Sequence, residues 1–116
     1  MSITNNPELS ELLAFFESEP IYQDTSDFHY AFQYTDSFGI TIVFAFCLNA
    51  GWMQAMINYH GCEIARYLSE GVDSFKLLSD QDSTYIHSEI FFEGNWTQIE
   101  IRIKPFVCVR WGTLVR

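Results

Sequence analysis

The sequence has few basic residues, six Lys and Arg against fifteen Asp and Glu, which gives a formal net charge of −9. The shortage is uneven, because residues 1–65 contain eight acidic side chains and no Lys or Arg. Proteins that bind nucleic acid or anionic membranes place Lys and Arg against phosphate groups, so the composition argues against both kinds of partner. A negative field favours a basic partner and speeds the encounter with it. Solubility alone would also account for the charge.

Motifs of secretion, metal binding and catalysis are missing as well. The N-terminus, MSITNNPELS, has no basic n-region and no apolar h-region, so we predict no signal peptide and a cytoplasmic protein. The cysteines, Cys47, Cys62 and Cys108, are odd in number and lack CxxC spacing, which predicts reduced thiols in the core. No nucleophile elbow, phosphate-binding glycine loop or zinc-ligand spacing is present, so we expect no enzyme, no cofactor and no metal.

A stretch without any charged residue, 37–62, dominates the chain. A run this apolar predicts either a transmembrane span or strands at the centre of a β-rich domain. The turn sequence at 49–51 interrupts the run, and no Lys or Arg precedes Arg66, so the basic anchors of a span are missing. Its first half is rich in β-branched and aromatic residues, which favour buried strands. We therefore predict a buried hairpin formed by residues 39–48 and 52–60.

The flanking sequence predicts one helix and a series of short strands. Asn6 is a suitable N-cap, Pro7 suits the first helical position, and an apolar stripe follows at helical spacing, so we predict a helix over about 7–18 that packs on the sheet. From residue 27 the apolar period becomes two. We predict an antiparallel meander of about seven or eight strands over 27–115, as a curved sheet, a partly open barrel or a sandwich. The fold class is α+β, mostly β, in one domain of residues 1–116. Beyond the hairpin, the expected strands are 27–35, 62–68, 72–78, 84–92, 96–104 and 106–111, with 21–26 irregular.

A candidate site lies on the hairpin near the C-terminus, where Gly94-Asn95 predicts a two-residue turn. Glu89 is predicted opposite Glu100, a like-charged pair that costs stability, and Trp96 and Tyr85 lie among charged residues. Departures of this kind from ordinary sheet chemistry concentrate at functional sites. We predict a docking surface where a partner's Lys or Arg enters between two carboxylates while an aromatic side chain anchors the contact. The predicted register places five pairs on one face: Glu93 with Trp96, Phe91 with Gln98, Glu89 with Glu100, His87 with Arg102, and Tyr85 with Lys104. Four acids in loops are secondary candidates: Glu70, Asp73, Asp80 and Asp82.

Three other interpretations of the sequence stay open, two for the hairpin residues and one for the aromatic row at 28–34. A solvated face, on which Arg102 and Lys104 balance the acids, needs no partner. Glu89 and Glu100 could share a proton and, with His87, serve a small hydrolase as acid and base. A closed barrel lined by the Phe and Tyr row at 28–34 could hold a small hydrophobic molecule.

A helix sequence that starts at a proline, NNPELSELLAFF, precedes a β-meander that ends in PFVCVRWGTLVR, in a small acidic chain. In these features the whole chain resembles the immunity proteins of bacterial polymorphic-toxin and contact-dependent growth inhibition systems. The resemblance implies a cytosolic protein that binds one cognate toxin domain, often a basic nuclease, and covers its active site or substrate path. Those families share no catalytic motif, so the resemblance assigns no site residue by position.

Overall fold

The structure, a computed structural model, describes residues 2–115. Within this range the chain forms one α-helix and nine β-strands, more strands than the sequence predicts. No helix among these residues is long and apolar enough to cross a membrane. The elements are α1 (Leu9–Phe16), β1 (Tyr22–Asp24), β2 (His29–Thr35), β3 (Ile40–Cys47), β4 (Trp52–Tyr59), β5 (Cys62–Ser69), β6 (Lys76–Ser79), β7 (Thr84–Phe92), β8 (Asn95–Arg102) and β9 (Cys108–Val115).

The strands form two antiparallel meanders, with the orders β1-β2-β3-β4-β5 and β6-β7-β8-β9. The prediction of a mostly β, α+β fold is confirmed. The meander is divided by residues 70–75, which cross from one sheet to the other without pairing as a regular strand. Because consecutive strands pair in each sheet and the two sheets stay open, the closed barrel needed by the small-molecule interpretation does not form among the described residues.

The inner faces of the two sheets share one hydrophobic core. In the first sheet Phe32 pairs with Phe44, and both side chains are fully buried. In the second sheet Ile86 pairs with Ile101, and both are likewise fully buried. Phe75, from the crossing segment, packs between the sheets with its ring centroid 5.1 Å from that of Phe46. The alternation of buried and exposed residues along the strands therefore produces a sandwich, and the shared core is compatible with the predicted single domain.

The helix α1 closes one side of this sandwich. Phe16 is buried and stacks on Phe32, with ring centroids 5.0 Å apart. The predicted cap at Asn6 and the bounds 7–18 are wrong: Glu8 is the N-cap, and its backbone N–H donates to Glu11 Oε1 over 2.9 Å. The helix ends at Phe16, and the C-cap residue Glu17 adopts the left-handed conformation with φ 58°. The reciprocal Glu8 and Glu11 contacts satisfy orphan amides of the first turn, which explains the later start.

Predicted strands agree with the structure where burial is strongest. The buried hairpin is confirmed, with Cys47 paired to Trp52 across its turn, and β5 and β7 match their predicted bounds within one residue. The short edge strand β1 falls in the stretch predicted as irregular, and β6 and β9 begin later than predicted. Only Cys47 is a core thiol, since Cys62 and Cys108 are exposed. Edge strands bury few side chains, so their sequences carry a weak pattern.

The sandwich has two distinct ends. We call one the loop end, formed by residues 25–28, 48–51, 70–75 and the turn 93–94. Backbone bonds join its segments, for example Leu48 N–H to the Phe28 carbonyl and Val72 N–H to the Gly51 carbonyl, both 3.0 Å. We call the other the Asp36 end, formed by residues 36–39, 60–61, 80–83 and 103–107. There the Asp36 carboxylate accepts a 2.8 Å bond from the Val107 N–H and so links the two sheets.

Candidate partner-binding surface

The hairpin β7–β8 turns at Glu93-Gly94 and not at Gly94-Asn95. Both residues have positive φ, 51° and 79°, and Phe92 pairs with Asn95. A two-residue turn of this kind needs positive φ at both central positions, and glycine is the preferred residue at the second of them. Each residue of β7 therefore faces a residue two positions earlier in β8 than predicted. Because side chains alternate between the two faces, a shift of two residues leaves each side chain on its predicted face.

The predicted pair of Glu89 and Glu100 does not form. Glu89 lies opposite Gln98, whose Nε2 donates to it over 3.3 Å, and His87 lies opposite Glu100. The other predicted pairs are wrong for the same reason, and Trp96 faces Phe91. Two carboxylates that are not opposite each other provide no basis for a shared proton. The hydrolase interpretation therefore loses the geometry on which it depended.

Arg102 binds several of the predicted site residues within the chain. Its Nη2 lies 2.6 Å from Asp80 Oδ2, and its Nε lies 3.0 Å from Glu100 Oε2. The guanidinium also sits 4.2 Å from the centre of the Tyr85 ring. Hydrogen bonding to Arg102 holds the pKa of Asp80 well below its usual range. Asp80, Glu100 and Tyr85 thus already have a cationic partner, and the interpretation of a balanced, solvated face describes this part of the sheet.

The remaining predicted acids lie at or beside the loop end. Glu70, Asp73 and Glu93 are exposed there, and none of them has a Lys or Arg partner within the part of the chain that the structure describes. The turn 93–94 lies close to residues 70–73. The Phe92 ring, next to the turn, packs so closely against Gly71 that an added Cβ atom there would lie 2.2 Å from the ring. The same end carries three acids that were not predicted as site residues: Glu8, Asp24 and Asp27. Six acidic side chains without a Lys or Arg partner among residues 2–115 therefore lie at or beside the loop end, whereas the Asp36 end has one such exposed acid, Asp82.

An aromatic pair borders this acidic region on the outer face of β7 and β8. The rings of Phe91 and Trp96 stack with their centroids 6.0 Å apart and their planes 2° from parallel, and Phe91 is 65% exposed. Phe91 and Asp73 line a common hollow of about 350 Å³, together with His87, Glu89 and one cationic side chain, Lys76. The structure thus brings Glu70, Asp73, Glu89, Glu93 and Trp96 towards the loop end and leaves Tyr85, Asp80 and Asp82 near the Asp36 end, while His87 and Glu100 face each other between the two groups. Phe91 was predicted on this face but not as a site residue, because its stacking on Trp96 depends on the register.

At the Asp36 end, by contrast, Asp36 and Glu17 have hydrogen-bond or ion-pair partners within the chain. The Asp36 carboxylate is buried and accepts backbone bonds from Phe38 and Ile40 as well as Val107. Burial raises the pKa of Asp36, and these N–H donors more than offset it, so the pKa lies below its ordinary value. At the same end Glu17 pairs with Lys104. The sequence D-S-F-G at 36–39 predicts a turn. The hydrogen bond between Val107 and Asp36 joins residues 71 positions apart, so no local sequence pattern predicts it.

Comparisons with known proteins agree with the resemblance seen in the sequence. No protein-family model and no curated protein matches the chain. A solved structure does match, a contact-dependent growth inhibition toxin–immunity protein complex from Klebsiella pneumoniae 342. Its TM-score is 0.94 at 32% sequence identity, and the alignment covers 98% of this chain and 100% of the other. The chain belongs to the immunity proteins of contact-dependent growth inhibition systems.

Proposed function

We propose that this protein binds one cognate toxin domain, a nuclease with a basic surface, and neutralises it by covering its active site or its groove for RNA or DNA. The observation that carries the proposal is the similarity along the full chain to a structure of a toxin–immunity protein complex. The acidic loop end supports the basic character of the partner, since carboxylates can occupy a cationic groove that otherwise receives phosphates. The protein would act in the cytoplasm, by binding and not by catalysis.

The docking surface that we propose combines the loop-end acids with the neighbouring aromatic pair. Glu70, Asp73 and Glu93 would meet the toxin's cations, while Phe91 and Trp96 supply rigid apolar area. Interfaces commonly take most of their binding energy from such aromatic anchors, with charges around them setting orientation and association rate. His87 and Glu89 lie beside the anchors. Asp80 and Glu100 would contribute less, because Arg102 already neutralises them.

The proposal is tested with the toxin domain encoded by the adjacent reading frame. Purified toxin domain should degrade RNA or DNA in vitro, and an equimolar amount of this protein should abolish that activity. Cells that express the toxin domain should grow only when this protein is co-expressed. The association rate should fall as salt is raised, because screening weakens electrostatic steering. A toxin domain that stays active in the presence of a folded, saturating amount of this protein would exclude the proposed function.

A further inference from the structure

A second surface feature lies at the loop end, on the side of the sandwich that α1 closes. It is a groove of about 300 Å³ between the start of α1 and strands β2 and β3. Its floor is formed by side chains that are nearly or fully buried, Leu12, Tyr30 and Phe46, and its walls include Leu9 and Phe28. This volume is at the lower limit for ligand pockets and suits one long side chain. None of the residues that line the groove was predicted to bind a protein partner, although Phe28 and Tyr30 belong to the row at 28–34 that the small-molecule interpretation used.

The walls of the groove leave apolar surface uncovered. Phe28 is 46% exposed and Leu9 is 38% exposed. Phe28 also has φ 53°, a left-handed conformation that is unfavourable for a bulky side chain and is found preferentially at functional positions. The Leu48 N–H holds this residue in place by a 3.0 Å bond to the Phe28 carbonyl. The chain thus keeps a strained aromatic residue at the mouth of the groove.

The groove is preformed. Its floor belongs to the shared core, and the Glu8 and Glu11 contacts fix the first turn of α1. The N-terminal segment is tied down by Ile3 N–H to the Leu48 carbonyl, 2.7 Å, and by Thr4 N–H to the Asp73 carbonyl, 3.0 Å. A partner that enters a fixed groove orders few additional groups, so little conformational entropy opposes binding.

The charges around the groove select the partner. Glu8 lines it, and Asp27, next to Phe28 in the sequence, bonds only neutral donors, Asn49 Nδ2 and the Cys47 thiol. Neither carboxylate has a Lys or Arg partner among residues 2–115. The acidic residues of the first turn offset the positive end of the α1 dipole, which would otherwise repel a cation. A side chain with an apolar stem and a cationic head complements such walls and rim.

We propose that this groove receives one lysine or arginine side chain of the toxin domain, with its stem against Phe28 and Leu9 and its head near Glu8. The assignment rests on the proposed function and adds a second contact to it. Together with Phe91 and Trp96 on the other side of the loop end, the groove would fix the toxin at two separated points. Two anchors restrict the orientation of the complex more strongly than charge attraction alone.

The test uses the full chain and the toxin domain of the adjacent reading frame, with association and dissociation rates measured by biolayer interferometry. The variant Phe28→Gly removes the wall while it relieves the positive φ, so its melting temperature should not fall. Its matched control is His60→Gly, which changes another residue with positive φ, 51°, at the Asp36 end. The second variant is Glu8→Gln, with Glu19→Gln as its control.

We expect Phe28→Gly and Glu8→Gln each to raise the Kd by about tenfold, mainly through faster dissociation, and both controls to stay within about twofold of the wild type. Alanine substitutions of the toxin's surface Lys and Arg should then include one whose effect disappears in the Phe28→Gly background. If all four variants bind like the wild type, the groove is not part of the interface, and the proposed function is unaffected. If Phe28→Gly weakens binding but no Lys or Arg variant of the toxin loses its effect in that background, the side chain in the groove is not cationic. A wild-type protein that does not bind would overturn both proposals.

Discussion

The two ends of the sandwich differ in how their acidic residues are compensated. At the Asp36 end Glu17 pairs with Lys104, Asp80 pairs with Arg102, and Asp36 is enclosed by backbone N–H donors. At the loop end most of the acids are exposed, and none of them pairs with a Lys or Arg among residues 2–115. The net charge of −9 is therefore a poor guide to where a basic partner docks. We expect the carboxylates that lack an internal cation and lie together at the loop end to contribute most to the field that a basic partner meets.

The largest effect should come from reversing charge at the loop end. The double variant Asp73→Lys/Glu93→Lys places like charges against a basic toxin surface and should weaken binding about 100-fold, or roughly 2.7 kcal/mol. The double variant Glu19→Lys/Asp82→Lys changes the net charge equally but lies outside the loop end, and it should weaken binding far less. Calorimetric titration with the toxin domain distinguishes the two. Equal losses would show that net charge, and not its location, governs the interaction.

The next effect concerns stability at the Asp36 end. Replacement of Asp36 by Asn removes a buried charged acceptor that serves the Phe38, Ile40 and Val107 N–H groups. The free energy of unfolding should fall by about 2 kcal/mol, as is usual for loss of charged hydrogen bonds. Urea unfolding measures it, with Asp82→Asn as the surface control. Toxin affinity of the folded Asp36→Asn variant should stay unchanged. A loss of affinity at constant stability would instead place the Asp36 end in the interface.

The same carboxylate predicts how stability depends on pH. Because the folded-state pKa of Asp36 is lowered, its contribution is complete above the unfolded-state pKa of about 4 and disappears as pH falls through the folded-state value. The wild type should therefore lose stability from about pH 4 downward, and Asp36→Asn should lose less over the same interval. Urea unfolding at a series of pH values measures both slopes. Identical slopes would contradict a lowered pKa for Asp36.

The smallest effect separates the structural and functional demands on Glu93. Its φ of 51° is unfavourable for glutamate, whereas asparagine tolerates this conformation well. The variant Glu93→Asn should gain about 0.5 kcal/mol of stability and should weaken toxin binding modestly, because it removes one carboxylate. The matched variant Glu93→Gln should weaken toxin binding by the same amount, but it should not gain stability. A Glu93→Asn protein that binds as tightly as the wild type would exclude Glu93 from the interface.

The secondary structure was predictable where one face of an element is buried. The uncharged stretch 37–62 folds as the expected hairpin, and the apolar stripe of α1 packs on the core through Leu12 and Phe16. The register of β7 and β8 was not predictable from Gly94-Asn95 alone. The alternative turn at Glu93-Gly94 keeps the same residues inside, so hydrophobic patterning cannot distinguish them.

The candidate site was predictable in part. Exposure of Glu70 and Asp73 followed from their predicted position in loops, and Glu93 and Trp96 kept the side of the hairpin predicted for them. The partner of Arg102 was not predictable, since Asp80 reaches it from 22 residues away. The groove at Phe28 was also missed, because the alternating row at 28–34 predicts a strand residue and gives no sign of a left-handed φ.

Local patterns of polarity were enough to establish an acidic, mostly β chain with one helix, because burial of alternate side chains leaves a period of two along each strand. Packing of the two sheets settled which acids are neutralised and which stay free, because ion pairs such as Glu17 with Lys104 join residues that are remote along the chain. The difference between the loop end and the Asp36 end, on which both proposals depend, arises only when distant segments meet in three dimensions.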